Sequence, residues 1–164
     1  MIELINFRDK DEFYLLMYKW CSKEFIYEWF EQRKLSYDEI YRKYRNKLLS
    51  RKGKLYIIYY NNKPIGYTQI YKYENSKNVY EYDLFIGEEE YLNKGIGELL
   101  VKYINKYIYD NNKVEAIILR PFKRNVRAIK CYLKCGFKII DEYMGTDTVG
   151  KGEEYVVLEY RRDR

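Results

Sequence analysis

Gly95 and Gly97, bracketed by Asn93, Lys94, Ile96 and Glu98, stand directly before the most regular amphipathic stretch of the chain. Glycines at a helix start leave backbone amides uncovered, and the helix dipole adds partial positive charge there. That combination suits an anion, a pyrophosphate above all. It is not a Walker A loop, because no GxxxxGK(S/T) is present. It is not a dinucleotide fingerprint, because the third glycine is missing and the element lies mid-chain. Further along, Asn125, Ala128, Tyr132, Gly136 and Phe137 form the series Asn-x-x-Ala-x-x-x-Tyr-x-x-x-Gly-Phe. Taken singly, Asn125 reads as a helix cap and Tyr132 as a core aromatic. Together, downstream of the glycines, they read as a second part of one site. Upstream, Glu81 and Asp83 alternate with Tyr80 and Tyr82, so a strand would place both carboxylates on one face. A carboxylate can hold an ammonium and then take its proton.

Composition removes other chemistries. The 164 residues include no histidine, which excludes a Ser-His-Asp or Cys-His nucleophile system and any His-ligated zinc. Three cysteines without a CxxC pair give neither a disulfide framework nor a four-cysteine zinc site. No metal is expected. The first residues lack a signal-peptide core, and no run approaches a membrane span, so the expected compartment is the cytoplasm. A net charge of +6 invites a nucleic-acid reading. Its distribution points elsewhere: residues 74–91 are acidic and residues 92–138 strongly basic, which suits a cationic ligand meeting an anionic one.

The elements that must position these residues follow from periodicity. Phe13, Leu16, Met17, Trp20 and Cys21 predict a first helix, capped by Asp9 or Asp11. Ser36-Tyr37-Asp38-Glu39 is a capping box, and Tyr37, Ile40, Tyr41, Tyr44 and Leu48 line one face behind it. Residues 55–60 and 65–73 predict a hairpin about the turn 61–64, and residues 79–86 a third strand. A long helix starts at Ile96, a buried strand covers 114–119, and a short helix ends at Gly136. Residues 137–140 and 155–160 complete the strands, with a polar loop over 145–154. No repeat or linker divides the chain, so residues 1–164 are expected to form one domain.

The order strand, Gly-x-Gly, helix, strand, Asn…Tyr…Gly-Phe resembles the GCN5-related N-acetyltransferases, or GNAT superfamily. Tyr60-Asn61-Asn62-Lys63-Pro64-Ile65-Gly66-Tyr67, Asp83-Leu84-Phe85-Ile86-Gly87, Lys94-Gly95-Ile96-Gly97 and Arg127-Ala128-Ile129-Lys130-Cys131-Tyr132 are similar to its aminoglycoside 6'-N-acetyltransferase branch, as is Glu28-Trp29-Phe30. The resemblance implies an α/β GNAT fold: a mixed, mostly antiparallel twisted sheet with a central splay, flanked by about four helices. It implies acetyl-CoA as cosubstrate and a cationic small-molecule amine as acceptor, attacked directly in a ternary complex. Asn93, Lys94, Gly95, Ile96, Gly97 and Glu98 would hold the pyrophosphate. Phe85 and Ile86 would pair with the pantetheine arm, and Asn125 would contact it. Tyr132 would protonate the leaving thiolate. Asp83, with Glu81 as second candidate, would orient the amine or take its proton, and Glu28 and Trp29 would touch the acceptor. Arg120 stands where the branch carries an aspartate before proline, so with a polycationic acceptor it is expected to turn away or to pair with a carboxylate. Other acceptors of the same chemistry are a polyamine, a small amine or a protein N-terminus. A non-catalytic nucleic-acid module is the reading from a different class. A monomer or homodimer is expected.

Overall fold

The runs of β-branched and aromatic residues become seven strands in the computed structural model, which describes residues 1–146 and 152–162. In chain order the elements are β1 (Ile2–Asn6), α1 (Asp11–Cys21), α2 (Glu24–Tyr27), α3 (Tyr37–Ser50), β2 (Lys54–Tyr60), β3 (Lys63–Lys72), β4 (Val79–Ile86), a single 3-10 turn (Glu89–Tyr91), α4 (Ile96–Asn111), β5 (Ala116–Leu119), α5 (Val126–Lys134), β6 (Lys138–Met144) and β7 (Glu154–Tyr160). The strands form one open, mostly antiparallel sheet in the order β1-β2-β3-β4-β5-β7-β6. This is the α/β fold with a mixed, mostly antiparallel sheet expected from the sequence. Half of the loop expected over 145–154, residues 147–151, lies outside the described residues. No described helix is long and apolar enough to cross a membrane.

The chain packs as two compact units, and β4 contributes to both. The first comprises residues 1–71 and 83–91. Here β1, β2 and β3 form an antiparallel meander. Asn61 and Asn62 both take positive φ, 48° and 67°, and so close the β2–β3 hairpin as a two-residue turn. Helices α1 and α3 pack on each other beside the meander, around Tyr14, Met17, Trp20, Ile40, Tyr44, Ile57 and Tyr67. The capping box is present as expected: Ser36 Oγ accepts from the Glu39 amide at 3.2 Å, and Glu39 Oε1 accepts from the Ser36 amide at 3.0 Å. The expected cap of α1 is not there. Lys10 occupies the N-cap without a side-chain bond, and Asp9 instead accepts from Tyr14 Oη at 2.6 Å.

The second unit comprises residues 72–82 and 92–162 of the described chain. Parallel pairing of β4 with β5 runs over three residues, Val79–Glu81 on Ala116–Ile118. β5 then pairs antiparallel with β7, and β7 with the edge strand β6. Helix α4 buries Ile96, Leu100, Val101, Ile104, Asn105 and Ile108, while Leu99, which helical spacing groups with them, stays exposed. Tyr82, on the opposite strand face from Glu81, donates from Oη to Asn105 Oδ1 at 2.8 Å and so ties β4 to α4.

Candidate active site

In the second unit the start of α4 has the shape of an anion cradle. Gly95 is its N-cap at φ 76° and ψ 2°, and Asn93 is also left-handed at φ 60°. Left-handed residues inside a turn point successive amides inward, and the first turn of a helix adds amides with no intrahelical partner. A Cβ on Gly95 would touch nothing within 4 Å, so its glycine is required by φ and not by crowding. A Cβ on Gly97 would lie 3.7 Å from Cys131 Sγ, so α5 closes on the cradle from behind. Cys135 Sγ reaches the Glu98 carbonyl at 3.8 Å. Arg127 of α5 donates from Nη2 to Asn93 Oδ1 at 3.0 Å. Arg127 thus fixes the turn and, with exposed Lys94, makes it cationic. This cradle fits the pyrophosphate of a CoA ester.

Asn125 caps α5, its Oδ1 accepting from the Ala128 amide at 3.3 Å. Tyr132 lies in the last turns of α5, half-buried, with its ring centroid 5.8 Å from that of Phe137. Glu81 is buried at 4% exposure. Arg120 donates to it from both Nε and Nη2 at 2.7 Å, a bidentate pair, and its guanidinium lies 5.1 Å from the Tyr73 ring centroid. Of the two outcomes expected for Arg120, turning away or pairing with a carboxylate, the structure shows the pairing, and its partner is Glu81, the second candidate for the acceptor's carboxylate.

In the first unit Asp83 is half-exposed where Glu81 is buried. Tyr71 Oη donates to Asp83 Oδ1 at 3.2 Å, and Thr68 Oγ1 donates to its carbonyl at 2.7 Å. Phe85 is buried among Trp20, Phe30 and Tyr67, at centroid distances of 6.0, 5.6 and 5.6 Å. Ile86 is half-buried. The end of β4 is held rigidly. Gly87 lies so close to Trp20 that a Cβ would fall 2.2 Å from the indole. Trp20 Nε1 donates to Glu88 at 2.5 Å, and Lys23 Nζ donates to the Gly87 carbonyl at 2.9 Å. Glu28 and Trp29 follow α2 in a half-buried turn, their amides bonded to the Glu24 and Ile26 carbonyls.

The model of the acetyltransferase (GNAT) domain family matches residues 10–144. The chain belongs to the GNAT acetyltransferase family. As a GNAT enzyme it is an N-acetyltransferase that draws its acetyl group from acetyl-CoA. An aminoglycoside N(6')-acetyltransferase type 1 of Klebsiella pneumoniae is 28% identical over 160 residues, covering 90% of this chain and 78% of its own length. A crystal structure of an aminoglycoside acetyltransferase with coenzyme A and kanamycin matches at TM-score 0.84 and 24% identity, covering 99% of this chain and 95% of that one. A spermidine N-acetyltransferase from Vibrio cholerae with CoA and spermine matches at TM-score 0.80 and 15% identity, covering 98% of this chain and 95% of that one. Both structural likenesses concern the fold.

The structure adds residues to this GNAT enzyme that motif reading passed over. Lys47 of α3 donates from Nζ to Gln69 Oε1 at 3.2 Å. Its signal was in the sequence, because position 47 falls three after Tyr44 on the buried stripe, where a lysine is out of place. Arg127 stood in a motif that carries the family resemblance but without a role, and Tyr71 had no comparable signal.

Proposed function

We propose that this acetyltransferase modifies a primary amine on an amino sugar of the aminoglycoside class, at the 6' position. The observation that carries the reading is the Arg120–Glu81 pair. It neutralises a cation that would oppose a polycationic acceptor, and it leaves the half-exposed Asp83 as the carboxylate for the amine. The similarity to an aminoglycoside N(6')-acetyltransferase over 90% of the chain supports the same class.

The roles are assigned residue by residue. Amides and side chains from Asn93 to Glu98 hold the pyrophosphate, and the Phe85–Ile86 backbone and Asn125 hold the pantetheine arm. Acetyl-CoA supplies a thioester carbonyl, activated toward an amine. Asp83 binds the acceptor's ammonium and takes its proton, directly or through water, so that the nitrogen lone pair is exposed. The nitrogen forms a bond to the carbonyl carbon, the carbon–sulfur bond breaks, Tyr132 Oη gives its proton to the departing thiolate, and the nitrogen releases its second proton to water, from which the Tyr132 phenolate is reprotonated. Glu28 and Trp29 contact the acceptor's outer face. Both substrates are bound before transfer.

The test is a panel of acceptors with CoA release as the readout. Kanamycin should give saturable release, and Asp83→Asn, which keeps shape and removes charge, should depress it while acetyl-CoA still binds. Saturation by spermidine or by a peptide N-terminus, with none by kanamycin at millimolar concentration, would move the acceptor to those amines.

A further inference from the structure

One face of β3 carries Tyr67, Gln69 and Tyr71 in the first unit, and all three side chains end in polar atoms. Tyr71 bonds the carboxylate directly. Gln69, 5% exposed, fixes the Lys47 ammonium by its 3.2 Å bond. Tyr67 is 3% exposed, with its ring centroid 5.3 Å from that of Tyr44 and 5.6 Å from that of Phe85. Its hydroxyl is buried and has no hydrogen-bond partner among the described residues. A buried hydroxyl left unbonded costs free energy, and a ligand group that bonds it recovers that cost. Burial draws the Lys47 amine below the usual lysine range, with Asp83 acting the other way. Burial and then Asp83 push the Tyr67 phenol up. Gln69, which holds Lys47, and Tyr71, which holds Asp83, are successive side chains on that face of β3, and this brings the ammonium toward the carboxylate. Lys43 and Glu31 are the other charged groups that Lys47 senses, and they pair with each other at 2.5 Å.

We propose that Lys47 is a specificity-determining residue of the acceptor site: its ammonium, fixed by Gln69 beside Asp83, admits one ammonium at that carboxylate and rejects a second on the same sugar ring, where the acceptor must present a hydroxyl. The inference rests on the amino-sugar reading above. Asp83 offers one negative charge, and Lys47 already offsets part of it. The acceptor's reacting ammonium uses the remainder. A second ammonium on the ring then meets Lys47 as a like charge in a poorly solvated place, which disfavours it. A hydroxyl there meets no such repulsion and can accept from the Tyr67 phenol.

Kanamycin A and kanamycin B test this, because they differ by a hydroxyl against an amine on the ring that bears the 6'-amine. The parent enzyme should favour kanamycin A in kcat/KM by roughly tenfold. Lys47→Gln should bring the two within about twofold, chiefly by improving kanamycin B, and Lys47→Arg should restore the preference. A merely structural lysine would lower both acceptors together and leave their ratio unchanged. Transfer to both compounds with a ratio that Lys47→Gln does not alter overturns the role of Lys47 and leaves the amino-sugar reading standing. Transfer to neither overturns the amino-sugar reading and the inference with it.

Discussion

Glu81 and Asp83 are the same chemistry two positions apart on one strand face, and their surroundings give them different work. Glu81 is buried in a bidentate pair with Arg120, whereas Asp83 is half-exposed under a tyrosine hydroxyl. Removing one partner of a buried pair leaves the other charge stranded, which costs far more than the pair itself contributes. Arg120→Met should therefore lower unfolding free energy by roughly 3 kcal/mol, read by urea denaturation. Arg120→Asp should do worse, because it sets a second carboxylate against Glu81. A neutral Arg120→Met would mean that solvent reaches Glu81. For Tyr132 the expected loss is in turnover. Tyr132→Phe should lower kcat by roughly a hundredfold with acetyl-CoA affinity nearly unchanged. Unchanged kcat in single-turnover measurements, where product release cannot mask chemistry, would return Tyr132 to the packing of α5.

Among the elements, α3 matters because it carries Lys47. Its start depends on Glu39, whose carboxyl is held at about 2 by the Arg33 guanidinium first and the Ser36 backbone bond second. A carboxyl lowered from its ordinary 4.5 stabilises the fold fully above that value, and the contribution disappears as pH falls through about 2. Glu39→Gln should thus be less stable than the parent above pH 4.5, and the two should converge as pH approaches 2. Denaturant midpoints across that range measure it, and a constant gap would refute the assignment. The sequence made this element legible because a capping box is a local device with a fixed spacing. The cradle was legible for the same reason, since Gly95 answers a local demand for positive φ. Strand β1 was not read, because Ile-Glu-Leu-Ile-Asn alternates too poorly to stand out, and its place is set by pairing with β2. The partners of Arg120 and Lys47 were hidden for a related reason. Glu81 and Gln69 lie 39 and 22 residues away in sequence, and only the folded sheet chooses among the many acidic and amide side chains.

At the scale of the whole molecule, all three cysteines are free, and burial raises each of their thiols. Cys131 is pushed up to about 12, although it lies against the cradle. A thiol so far from ionisation reacts slowly with disulfide reagents. The native protein should contribute almost no thiol signal in an assay that counts released CoA, and the denatured chain should contribute three equivalents. Rapid labelling of the native chain would show that α5 opens on the assay timescale.

Both tryptophans of the chain, Trp20 and Trp29, belong to the first unit, and the second unit is optically a tyrosine protein. Trp20 is completely buried, with its indole bonded to Glu88. Emission excited at wavelengths that tyrosine does not absorb therefore watches the first unit alone, without any label. Circular dichroism watches both. Superimposable denaturation curves from the two signals would mean that the strand shared by the units, β4, makes them unfold as one. An earlier transition in the emission would show that the unit carrying Asp83 and Lys47 can loosen while the cradle stays folded.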